Sequence, residues 1–179
     1  MSMRKLLAPL SLALSLGAGA ALAQSPGLGK PLTEIDVKPC DISIMPDGTN
    51  LPPGSGTSAQ GAKIYAEKCV ACHAEGGKGG AYPGATALVG GPPLTNGIET
   101  PKTIANYYAY ATTVFDFIRR SMPATAPRTL KDDEVYALTA YILSLNKLIG
   151  ENDVMDSKNL PAVKMPNRDN FILPYPERI

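Results

Sequence analysis

The chain has 179 residues, 44% apolar and 18% charged, with 17 Gly, 17 Pro and a formal net charge of +1. That composition excludes a disordered polyelectrolyte and a basic nucleic-acid binder, and its glycine and proline content predicts short elements joined by many loops within one compact domain. At the N-terminus Arg4 and Lys5 precede an apolar run from Leu6 to Ala23, which closes on Ala21-Leu22-Ala23. A charged start, an apolar stretch and a small-residue exit read as a signal peptide over residues 1–23; a retained anchor is the alternative, because the run just reaches spanning length. Cleavage removes two positive charges and no acidic ones, taking the balance from +1 to −1. No later run is long enough to cross a bilayer, so no membrane span is expected after cleavage and the mature chain is expected in the periplasm. Residues 24–56 follow as a Pro/Gly-rich extension.

The cysteines are Cys40, Cys69 and Cys72, the single histidine is His73, and the last three fall in Cys69-Val70-Ala71-Cys72-His73. This C-x-x-C-H spacing is a covalent attachment signal for one c-type haem. Two thiols three positions apart on a helical turn can reach the two vinyl groups along one haem edge, and His73 then faces the iron as proximal ligand. A zinc site would strain to bring adjacent Cys72 and His73 onto one tetrahedral ion. A thioredoxin-like pair needs a strand before the motif and a helix opening at it. Here Ala59 to Lys68 reads as helix before the motif, and Gly76 to Gly80 as loop after it. A Cys69–Cys72 disulfide would close a short, strained ring. Cys40 is left over, to be an intermolecular disulfide, a free thiol or a small buried hydrophobe.

Further along, Thr112 to Arg120 places Val114, Phe115 and Ile118 on one helical face, and Ser121-Met122-Pro123 follows directly. With no second histidine, the natural sixth ligand of a haem iron is a thioether. Met45, Met122, Met155 and Met165 remain after cleavage. Pro123 pushes Met122 out of the helical region onto an extended strap, making it the expected ligand, with Met165 in Lys164-Met165-Pro166-Asn167 as runner-up. The final helix is expected from Asp132 to Leu148, apolar at Val135, Leu138, Ile142 and Leu145, acidic at its positive end and stopped by Gly150. Residues 150–179 form a Pro-rich extension without periodicity. Its Leu160, Val163, Phe171, Ile172 and Tyr175 argue for docking, against the alternative of a disordered tail.

Over roughly residues 57–149 the attachment motif, the preceding Gly61 and Tyr65, the segment Gly91-Pro92-Pro93-Leu94 and the Met122-Pro123 strap resemble class I cytochromes c. The resemblance implies an all-α fold around one covalent haem c, with first and last helices crossing at Gly61, Tyr65 and Tyr141. It also implies that the Pro92 carbonyl accepts the His73 Nδ1–H. Asp41 to Gly48, Leu51 to Gly56, Val114 to Pro123, Asp133 to Leu143 and Met165 to Asp169 resemble the cytochrome subunits of bacterial sulfite dehydrogenases and related sulfur-oxidation cytochromes. The single C-x-x-C-H departs from the two-haem members of that group. What this likeness implies is a one-electron carrier with no catalytic residue, accepting electrons from a molybdenum-cofactor sulfite-oxidising subunit, with Arg119 and Arg120 beside the contact. A downstream cytochrome or oxidase would take the electron. The alternatives are a free periplasmic carrier, an assembly subunit, or a haem enzyme with an open distal site if Met122 does not reach the iron.

Overall fold

A computed structural model of the chain describes residues 28–38, 40–80, 82–94 and 99–171; the expected signal peptide, and Ile172 and Tyr175, lie outside these. The described residues divide into two units after Asp41. The first contains helix α1 (Glu34–Val37), opened by a Thr33–Asp36 capping box. Its Leu28, Leu32 and Ile35 are exposed, and so is Cys40, whose thiol is free. Cys40 is therefore not the small buried hydrophobe that the sequence allowed.

The second unit, from Ile42 onward, is mainly helical. Strand β1 (Ser55–Thr57) leads into α2 (Ser58–Lys68), followed by the short α3 (Val70–His73), α4 (Ile104–Tyr107), α5 (Ala111–Ser121), α6 (Asp132–Leu145) and β2 (Val154–Asp156). Thr57 starts α2 because its extended backbone lets the side chain accept from the Gln60 N–H at 3.2 Å while Gln60 Oε1 accepts from the Thr57 N–H at 2.9 Å. At the start of α6, Glu134 accepts from the Lys131 N–H at 2.8 Å and from Lys68 Nζ at 3.0 Å. That helix stops at Leu145, earlier than Gly150 led one to expect. Lys147 turns left-handed at φ 58, and the Leu148 and Lys147 N–H groups donate back to the Leu143 and Ser144 carbonyls at 3.0 and 2.9 Å, a Schellman ending built without glycine.

Helix α2 crosses α6 at the expected place. A Cβ on Gly61 would lie 1.9 Å from the Ala137 carbonyl oxygen, so only glycine permits the approach. The Tyr65 and Tyr141 rings pack beside the crossing with centroids 5.3 Å apart. Val114, Phe115 and Ile118 are buried on α5 as their spacing required, and Phe115 meets Tyr136 at 4.5 Å between ring centres.

Packing continues beyond residues 57 and 149. Strand β1 pairs antiparallel with β2, so segments before and after the expected domain close one small sheet. Met155, Leu160 and Met165 from the C-terminal arm are buried in the main core. The arm docks through residue 170: Asn167 Nδ2 donates to the Tyr107 carbonyl at 2.7 Å, and the Arg168 guanidinium lies 3.9 Å above the Tyr110 ring. Pro161 packs close to Gly48, which links the two arms. Among the described residues no helix is long and apolar enough to cross a membrane.

Burial pushes two core phenols up to about 12, that of Tyr65, which donates to the Ala74 carbonyl at 2.9 Å, and that of Tyr136, which donates to the Pro52 carbonyl at 2.8 Å. An unfolded tyrosine ionises near 10.0, so the folded state binds protons that the unfolded state has lost. Stability from both groups is complete below about pH 10 and falls as pH rises towards about 12. Urea denaturation across that interval should show a falling midpoint. Tyr136→Phe should lose about 1 kcal/mol at neutral pH but decline less steeply above it; parallel curves for the two proteins would contradict this account.

Candidate functional site

The attachment motif occupies one helical turn anchored on a single carbonyl. The Cys72 and His73 N–H groups both donate to the Cys69 carbonyl, at 3.1 and 2.9 Å, and the Cys69 N–H donates to Tyr65 at the end of α2. Ala74 ends the turn with φ 60, and its carbonyl receives the Tyr65 hydroxyl. Positions i and i+3 share a helix face, so the Cys69 and Cys72 side chains project to one side. Both thiols are free and partly buried, so they form no disulfide with each other. Burial pushes the Cys69 thiol up to about 11, with Lys68 opposing and Cys72 adding to the shift. It is a neutral thiol at physiological pH.

The glycine run behind the motif has a steric purpose. Gly77 and Gly79 adopt φ of 70 and 75, and a Cβ on Gly79 would come within 2.5 Å of the Ala87 nitrogen. The loop thereby returns residues 86–88 against the motif: the Gly79 N–H donates to the His73 carbonyl and the Leu88 N–H to the Gly77 carbonyl, both at 2.8 Å. This places the Thr86 carbonyl 3.3 Å from His73 Nδ1.

The expected partner, Pro92, is not the one used. Its carbonyl accepts instead from Asn106 Nδ2 at 2.9 Å, while the same amide donates to Pro101. Thr103, which caps α4, donates its hydroxyl to the Gly90 carbonyl and so helps commit the Gly90 to Pro92 stretch to α4 rather than to His73. Nothing in the tetrapeptide signalled this. The Thr86 contact depends on how tightly the Gly77–Gly79 turn folds back.

Met122 is the C-cap of α5, with extended φ −117 and ψ 145, as Pro123 dictates. It is partly buried, packed at the border of the core. Met165 is enclosed in that core at 0% exposure, Met155 is buried on β2, and Met45 is exposed. Arg119 and Arg120 are tied locally, Arg119 to Asp132 at 3.2 Å and Arg120 to Asp116 at 2.8 Å, so neither is an uncompensated cation. A cavity of about 870 Å³ bordered by Leu94, Asn106, Asn146, Pro166 and Asn167 touches none of the motif residues or Met122.

Among the described residues no group of three or more His, Cys, Asp and Glu side chains is placed to hold a bare metal ion. The donor set fits a covalently bound haem. It offers two thiols on one side of a turn and an imidazole whose Nδ1 is committed to a carbonyl, leaving Nε2 for iron. The proline-held thioether is the further candidate donor.

Comparison with known proteins agrees with this chemistry. Residues 58–146 match the family model for cytochrome c. The fold is similar to a chain in the crystal structure of the sulfane dehydrogenase SoxCD from Paracoccus pantotrophus, with 34% identity and a TM-score of 0.71. The match covers 83% of this chain and 72% of that one.

Proposed function

The chain belongs to the class I cytochrome c family, and from that premise we propose that it is a periplasmic electron-transfer subunit accepting electrons from a molybdenum-cofactor sulfite-oxidising protein. Its single attachment motif corresponds to one covalent haem c, which supplies a one-electron couple. The observation that carries the reading is the turn from Cys69 to His73, with Nδ1 held by Thr86. Cys69 and Cys72 would hold the group covalently, and His73 Nε2 and the Met122 thioether would ligate its iron. Met122 is preferred to Met165 because it sits at the core border on an extended strap, whereas Met165 is wholly enclosed by apolar side chains.

The export reading rests on Arg4, Lys5 and the apolar run closing at Ala23. The partner reading rests on the sequence resemblance and on the likeness to a sulfane dehydrogenase chain. The pairing of Arg119 and Arg120 with aspartates changes the expected contact chemistry. Phe117, 46% exposed, offers apolar area on the helix that Met122 caps, where matched charges provide little long-range steering. A downstream cytochrome or oxidase completes the path.

Denaturing electrophoresis with haem staining should show a band that keeps its haem, and the denatured holoprotein should titrate one thiol, Cys40, rather than all 3. A band without haem, or three reactive thiols, would refute attachment. Little holoprotein should accumulate in His73→Ala.

Met122→His should lower the reduction potential and abolish the long-wavelength band of methionine–iron bonding. Met165→Leu should keep both and cost less than about 1.5 kcal/mol, as a volume-conserving core exchange. The reverse pattern would transfer the ligand role to Met165, and an unchanged spectrum in Met122→Ala would leave the distal side open to small ligands.

Tagged protein isolated from its native host should carry a molybdenum protein identified by mass spectrometry, and sulfite should reduce the haem in that preparation. Haem protein recovered alone and unreduced by sulfite would make it a free periplasmic carrier.

A further inference from the structure

We propose that Asn146, at the C-cap of α6, is a positioning residue that sets the orientation and basicity of His73 through the Thr86 carbonyl. The inference rests on His73 being the iron ligand. Asn146 spends its whole side-chain amide on this junction. Nδ2 donates to the Leu88 carbonyl at 3.1 Å and to the Ile142 carbonyl at 2.9 Å, while Oδ1 accepts from the Gly90 N–H at 2.9 Å. A donor to residue 88 and an acceptor from residue 90 is the pattern by which a neighbouring strand's peptide group would pair with this segment. The amide therefore splices a loop onto a helix end, two residues beyond Thr86.

The same segment is held from its other side by the Leu88 N–H bond to Gly77 and by the close approach of Gly79 to Ala87. The Thr86 carbonyl lies between these anchors and is itself on an exposed residue, and among the described residues its hydrogen-bond partner is His73. Its position is thus set by the clamp on Leu88 and Gly90. A carbonyl on Nδ1–H fixes the tautomer of a ligating imidazole and raises its basicity, which favours the oxidised metal. Loosening the clamp should weaken that bond and shift the couple towards the reduced form.

The test uses the holoprotein. In Asn146→Ala the Gly90 amide should exchange with solvent roughly fivefold faster or more, having lost its acceptor. The axial histidine's Nδ1 proton, followed by NMR, should also exchange faster. At a fixed solution potential the reduced-to-oxidised ratio should rise roughly threefold to tenfold, the upper value corresponding to about 59 mV. Ser144→Ala is the control, since Ser144 bonds Ser58 at 2.6 Å and Tyr141 at 2.9 Å on the same helix end without touching the 86–90 loop. It should lower the melting temperature and leave the Nδ1 exchange and the potential unchanged. If Asn146→Ala moves only stability and Gly90 exchange, as a structural cap would, the positioning role is overturned. Should that variant accumulate poorly, Asn146→Ser is read by the same three measurements. A wild-type holoprotein without an axial histidine signature would instead defeat the haem-ligand reading itself, a failure visible before any variant is made.

Discussion

The structure depends on a backbone contact between α2 and α6. Ala137 is approached by glycine from two directions: a Cβ on Gly61 would come within 1.9 Å of its carbonyl oxygen, and one on Gly56 within 2.2 Å of its nitrogen. Neither approach tolerates a side chain, and together they seat both α2 and the strand before it on one turn of α6. The Lys68–Glu134 pair at the edge of this contact is partly solvated and adds at most about 1 kcal/mol. Steric closeness and apolar burial therefore hold the crossing, with charge as a minor trim.

The site inherits its geometry from that crossing by two routes. Tyr65 packs on Tyr141 at the crossing and extends its hydroxyl to the Ala74 carbonyl, so one side chain connects the helix contact to the end of the attachment turn. Asn146, at the far end of α6, connects the same helix to the loop that faces His73. The imidazole is thus referenced to α6 from both its own turn and its hydrogen-bond partner. A domain that exchanges one electron gains from this arrangement, because a rigid ligand field keeps reorganisation small when the charge on iron changes.

What the sequence made legible was local. The C-x-x-C-H turn, the buried face of α5 and the extended Met122 before Pro123 all follow from residues within one or two turns of each other, whereas the glycine at the helix crossing was implied by the family resemblance. What it hid was set by contacts distant in sequence. Thr86 rather than Pro92 meets His73 because the Gly77–Gly79 turn folds back more tightly than its composition shows. The strands are not legible in the sequence because each has three residues and they pair across most of the chain. The early end of α6 is hidden because a lysine takes the left-handed position usually reserved for glycine. The Thr57–Gln60 capping box, by contrast, was present as a readable T-x-x-Q signal.

The C-terminal arm shows why absence of periodicity is weak evidence against a core role. Periodicity reports a continuous helix or strand lying on a surface, whereas this arm contributes through isolated anchors: Met155 on a short strand, Leu160 in a tight turn and Met165 between two irregular stretches. Each fully buried side chain of this kind contributes about 1.5–3 kcal/mol, so the three together are comparable with the whole net stability of an ordinary domain. A chain ending near residue 149 would lose both that burial and the partner of β1, exposing the Ala137 face of α6 where Gly56 now lies. The arm is thus committed to the fold over most of its described length. Among its described residues, the large apolar side chains it leaves exposed for contact with another protein are Val154 and Phe171, at 46% and 50% exposure.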